Sequence, residues 1–119
     1  MNINYHHKVF KAISNTGSGQ VTGDTLFHYY QEGTTLWAEY MGGEISRGQI
    51  IGKVAEDGRL RFHYQHIDNN GNLCAGYCQS KPIILEDGRI RLYESWEWTS
   101  GRTGSGESII EEISYVKNE

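Results

Sequence analysis

Seven glycine-bearing turn signals cut this chain into eight segments, and nothing else in the sequence restricts the fold as strongly. They fall at Asn15–Gly19, Glu32–Gly33, Gly42–Gly43, Glu56–Gly58, Asp68–Gly71, Glu86–Gly88 and Gly101–Gly106. Asp-Gly and Asn-Gly supply the positive φ that tight hairpins demand, so neighbouring segments pair antiparallel. The predicted strands are 7–14, 20–31, 34–41, 45–55, 59–67, 72–80, 89–100 and 107–117. Lys81 to Leu85 is left outside them, because Pro82 has no N–H for a ladder and belongs at an edge or in a connection. No window carries an apolar stripe long enough for a helix of three turns; the best, Ile109–Ile113, is short. Eight antiparallel segments can close on themselves and abolish sheet edges. The expected fold is all-β: an eight-stranded antiparallel up-and-down barrel. Its 119 residues suit one domain, 1–119, in which residues 1–6 are expected to fray.

An internal echo supports the meander. Glu56–Tyr64 and Glu86–Glu94 repeat a Glu-Asp-Gly-Arg turn followed by a strand, thirty residues apart. Two copies do not make a solenoid, but they assign both turns the same task.

Period-two alternation then sorts side chains between the two walls. Arg59, Arg61 and His63 share one face, as do Arg89, Arg91, Tyr93 and Glu97, and charge places those faces in solvent. Leu60, Phe62, Tyr64 and His66 therefore point inward, with Ile90, Leu92, Glu94, Trp96 and Trp98. The same rule puts Leu36, Ala38 and Tyr40 inside and Trp37 and Glu39 outside. Between 45 and 55 it favours Ser46, Gly48, Ile50, Gly52 and Val54, the glycines allowing a sharp bend. For 20–31 and 72–80 both faces stay open, with Phe27 and Tyr29, and Cys74 and Cys78, as the preferred inward residues. Both faces stay open for 107–117.

The interior so assigned is oily at one end and changes toward Tyr64, His66, Glu94, Trp96 and Trp98. A buried carboxylate must be hydrogen-bonded, carry a raised pKa or face a wet cavity. Two readings stand. In one, Tyr64 and Glu94 bond each other in a satisfied polar core. In the other, Tyr29, Tyr40, Tyr64, His66, Glu94, Trp96 and Trp98 line a ligand site whose aromatic walls and few polar groups suit a small molecule. Eight strands leave an interior just wide enough for either.

Other chemistry is excluded more firmly. A formal charge of −4 without basic blocks argues against nucleic acid. No run approaches the roughly 18 apolar residues of a membrane span, and with a polar Met1–His7 the reading is a soluble, cytoplasmic chain. His6, His7, His28, His63 and His66 show no metal-ligand spacing, and no metal or other cofactor is expected. Gly101–Gly106 lacks the Lys-Ser/Thr ending of a phosphate loop and precedes a strand; Arg102 within it can reach over the barrel mouth toward an anionic ligand. Cys74 and Cys78 on one extended strand sit ~13 Å apart, too far for a disulfide. Cys78 beside His66, or Glu94 with Glu111, are the thinner catalytic options.

Phe27–Gly33, Ala38–Tyr40, the Gly52–Val54 strand before Glu56–Gly58, Arg89–Gly101 and Gly106–Ile113 together resemble a group of short bacterial proteins regarded as avidin-like in fold. The resemblance covers nearly the whole chain. It implies an avidin-like, calycin-like barrel with an aromatic-lined end, and its members often carry the automatic label N-acetylglutamate synthase. That reaction normally belongs to acetyl-CoA-dependent acyltransferases on a longer α/β chain, and this sequence offers no pyrophosphate-cradling loop or helix to carry one. A lipocalin Gly-x-Trp near the first strand is missing, as is the helical pair of fatty-acid-binding proteins.

The functional expectation is a non-catalytic barrel that binds a small, partly aromatic or apolar molecule at one end. One alternative is an enzyme using the same cavity, with Glu94 or His66 as proton carrier. Another is a homo-oligomer associating through exposed aromatics that include Trp37 and Tyr93.

Overall fold

The structure, a computed structural model, describes residues 3–113. It is a closed barrel of eight strands: β1 Lys8–Asn15, β2 Leu26–Glu32, β3 Thr35–Gly42, β4 Ile45–Val54, β5 Leu60–Asp68, β6 Leu73–Ile84, β7 Ile90–Ser100 and β8 Ser105–Glu112. Every neighbouring pair is antiparallel, and β1 pairs with β8 to close the ring. No helix occurs among the described residues.

Each of the seven interruptions holds at least one glycine with φ between 59° and 115°. The echoed turns are built alike. In one, Ala55 N–H donates to Arg59 O, Gly58 N–H to Ala55 O and Arg59 N–H to Asp57 Oδ1; in the other, Leu85, Gly88 and Arg89 make the same three bonds to Arg89 O, Leu85 O and Asp87 Oδ1. The shared motif is thus one hairpin closure used twice.

Most of the inward set is buried as expected, Tyr64 and Gly52 being half-buried, with Trp37 and Tyr93 on the outer wall. Five expectations need correction. Residues 20–25 form no strand, although Gln20 and Thr25 are buried within the β1–β2 loop. β6 continues through Pro82 to Ile84, because past Ser80 it pairs with β7 alone and the missing N–H falls at an edge. Ser46 is exposed while Ile45 is buried, since bulges flanking the start of β4 shift its phase by one residue. β8 begins at Ser105 and ends at Glu112; residues 114–117 of its predicted span lie outside the described residues, as do 1 and 2.

The fifth concerns the N-terminal segment, predicted to fray. Tyr5 is fully buried against Phe10 and Tyr29, and its hydroxyl donates to Gly58 O, so residues 3–6 plug the barrel end at which β1 begins. That end is filled by Phe10, Leu36, Leu60, Leu92 and Ile110, all fully buried. Tyr5→Phe keeps the ring and removes one hydrogen bond, an expected loss of about 1 kcal/mol measured by chemical denaturation; an unchanged midpoint would separate the plug from the barrel's stability.

Four inward glycines solve a packing problem. Gly48, Gly52, Gly76 and Gly106 stand directly across the ladder from Tyr40, Phe62, Tyr64 and Trp96. A Cβ on any of them would lie under 3.0 Å from its aromatic partner. The Tyr40, Tyr64 and Trp96 rings therefore lie against bare backbone of the adjacent strand, while Gly52 lets the Phe62 backbone and Cβ approach.

Candidate functional site

The opposite end carries the β1–β2, β3–β4, β5–β6 and β7–β8 loops, and here the lumen is only partly filled. A cavity of about 50 Å³ is walled by Phe27, Tyr40, Phe62, Tyr64, Trp96 and Trp98, floored by Glu94 and Ser108, and roofed by Gly19, Gln20 and Val21. Of the seven predicted site residues, Tyr40, Tyr64, His66, Glu94, Trp96 and Trp98 all line it. Tyr29 does not. It packs between Tyr5, Phe10 and Phe27 beneath the cavity, and its buried hydroxyl has no hydrogen-bond partner.

Glu94 is nine-tenths buried on β7. The ladder places Ser80 of β6 and Ser108 of β8 directly opposite it, and their hydroxyls donate to Oε2 and Oε1 at 3.0 and 2.9 Å. Those bonds, with a third from the Cys78 thiol, favour the charged form. Desolvation outweighs them and raises the carboxyl pKa to about 7. Tyr64 is not its partner: that hydroxyl donates to Glu97 O at 3.2 Å, so the self-satisfied Tyr64–Glu94 pair does not form.

His66 belongs to a four-residue hydrogen-bond chain. Its Nδ1 lies 2.8 Å from Tyr40 Oη, its Nε2 2.7 Å from Gln20 Oε1, and Gln20 Nε2 donates to Asp68 Oδ2 at 3.0 Å. A carboxylate can only accept, which fixes the Gln20 amide; His66 must then carry its proton on Nε2 and accept from Tyr40 on Nδ1. Burial lowers the His66 pKa to about 4, so the ring is neutral and both nitrogens are committed. Asp68 is held down, at about 2, by donors from Gln20, Asn70 and Asn72. This chain stitches the β1–β2 loop to the barrel wall.

The two tryptophans tie down the end of β1 and the loop that follows it. Trp96 Nε1 donates to Asn15 Oδ1 at 3.0 Å and Trp98 Nε1 to Ser18 Oγ at 2.9 Å. Arg102 donates to Ser18 O at 3.0 Å with its guanidinium 5.6 Å over the Trp98 ring. Arg102 therefore braces the roof and does not line the cavity.

Sequence reasoning missed Gln20, Asp68, Ser80 and Ser108. Ser80 was within reach, being in phase with Cys74 and Cys78 along β6. Gln20 and Asp68 act from a loop and a strand end, where alternation carries no information. Both cysteines are free and buried. Cys78 lies near Ser80 Oγ at 3.9 Å, while both His66 nitrogens are taken up by Tyr40 and Gln20. Glu111 faces outward to Arg89 and Arg91 at 3.1 and 3.5 Å, so it forms no carboxylate pair with Glu94. No group of three or more His, Cys, Asp or Glu that could hold a metal ion occurs among the described residues.

A search of the curated proteins finds no match to this sequence. A protein-family model described as avidin-like protein matches residues 3–113, almost the full length, in agreement with the closed eight-stranded meander and its aromatic-walled end. The chain belongs to the avidin-like protein family.

Proposed function

We propose that this protein binds a small molecule in the cavity under the β1–β2 loop and performs no chemistry on it. The observation that carries this reading is the unfilled lumen around Glu94, where six aromatic side chains surround a buried carboxylate. A cavity of about 50 Å³ has room for roughly three or four waters, so a ligand larger than that enters by displacing Gly19–Val21. Within that segment Val21 alone packs on the core, and the other ties, to Gln20 and to the neighbouring Ser18, are polar, which suits a roof that opens. Barrel residues then supply shape, and Glu94 supplies orientation.

The test is indole fluorescence of the intact protein against a metabolite library, since Trp96 and Trp98 form the wall. Saturable change abolished by Trp98→Phe is the expected result; no response to any compound would overturn the reading. One observation favours a second reading as an enzyme: Glu94, with its pKa near 7, is poised to exchange a proton. Conversion of a bound compound, lost in Glu94→Gln, would select it.

A further inference from the structure

Resting on the small-molecule reading above, we infer that the cavity selects a compact organic cation, with an N–H group on the Glu94 carboxylate and its carbon skeleton against the aromatic walls.

The first argument is a missing counter-charge. Glu94 is nine-tenths buried, yet the ion pairs of the described residues use Asp57, Asp87, Glu111 and Glu112, and no Lys or Arg lines the cavity. A desolvated carboxylate is costly without a cation. Two serine hydroxyls satisfy one acceptor position on each oxygen, and a carboxylate has about four. The Cys78 thiol is a third donor to the carboxylate, so acceptor capacity is left for about one further N–H.

The second argument is the wall. Phe27, Tyr40, Tyr64, Trp96 and Trp98 surround the space above Glu94. Aromatic faces attract cations and repel anions, the more so when water is excluded. An anionic ligand would meet Glu94 without compensation, and a neutral one would leave its charge unpaired.

Protonation supplies a third, dependent consequence. The groups that act on Glu94 are Cys78, Ser80 and Ser108 by hydrogen bonds and Tyr29, Tyr40 and Tyr64 by proximity, while His66 lines the same cavity. Burial holds the Tyr29, Tyr40, Tyr64 and Cys78 pKa values above their usual range and that of His66 below it. Glu94 is therefore the group of this set that changes charge near neutrality, and cation binding must expel its proton.

Acetamidinium, acetamide and acetate have the same shape and four heavy atoms each, with charges of +1, 0 and −1. Titrated into the intact protein at pH 8, with the indole N–H resonances of Trp96 and Trp98 as readout, acetamidinium is expected to bind at least tenfold more tightly than acetamide, and acetate not at all. Its affinity should fall by about tenfold between pH 8 and pH 6, one proton per ligand, and Glu94→Gln should remove both the preference and the pH dependence. Acetamide binding as well as acetamidinium, or affinity independent of pH in the unaltered protein, would overturn the charge selection and leave the pocket standing. If none of the three moves either indole while a neutral library compound does, the cation inference fails alone. If nothing binds at all, the pocket reading fails with it.

Discussion

Replacing Glu94 with Gln should make the barrel gain about 3 kcal/mol of stability as pH rises from 4 to 6.5, over a range in which the unaltered protein stays nearly level. Two buried groups with opposite signs produce that compensation. The Glu94 pKa rises from 4.5 to about 7 on folding, so its contribution is complete below pH 4.5 and is lost as pH rises through 7. The His66 pKa falls from 6.5 to about 4, so its contribution is complete above pH 6.5 and is lost as pH falls through 4. Each shift corresponds to about 3 kcal/mol at 1.36 kcal/mol per unit. Between 4.5 and 6.5 the slopes cancel, and the Gln variant exposes the histidine's alone. Asp68, whose pKa is also depressed, adds a further loss only at more acidic pH. The measurement is urea denaturation at half-unit pH intervals. A variant whose stability profile parallels the unaltered protein's would show that Glu94 titrates alike folded and unfolded.

Gly48→Val should cost about 3 kcal/mol, although it adds apolar atoms to a position facing the lumen. The added Cβ alone would lie under 3.0 Å from the Tyr40 ring. Although that ring borders the cavity, it is held in place: it is stacked on Phe27 with centroids 5.1 Å apart and tethered through its hydroxyl to His66 at 2.8 Å, a bond that swinging into the cavity would break. Relief must therefore come from moving backbone or breaking the chain to Gln20 and Asp68. Gly48 has no positive φ, so backbone strain does not enter and the effect is purely one of space. In a Tyr40→Leu background the same substitution should cost at least 1 kcal/mol less, a coupling of the size expected for residues in contact. Equal costs in both backgrounds would place the origin of the loss elsewhere.

The parts of this fold that could be read from sequence are those set by local chemistry. Asp-Gly and Asn-Gly turns fixed the hairpins, and alternation in Leu60–His66 and Ile90–Trp98 identified the inward wall, because charged residues mark the other face. Alternation fails where a bulge inserts a residue, which is why Ile45 and not Ser46 is buried. It also says nothing about residues that become buried by folding back over an end. Tyr5 and Gln20 are such residues, sealing opposite ends from segments read as a loose terminus and as a strand. Tyr29 shows a third limit, depth: it shares an inward face with Phe27 but sits one layer below the cavity. The roles of Ser80 and Ser108 required the register, since only the ladder brings them to Glu94 from both sides.

The claim on which the rest depends is that Glu94 lies in a desolvated cavity without a counter-ion. The ¹³C resonance of its carboxyl carbon, assigned by comparison with Glu94→Gln and followed across pH in the unliganded protein, tests it directly. A midpoint near 7 is the expected result. A midpoint at the 4.5 of an ordinary glutamate would mean a carboxylate in water or paired with a cation, and would contradict the site, its ligand class and the pH behaviour together.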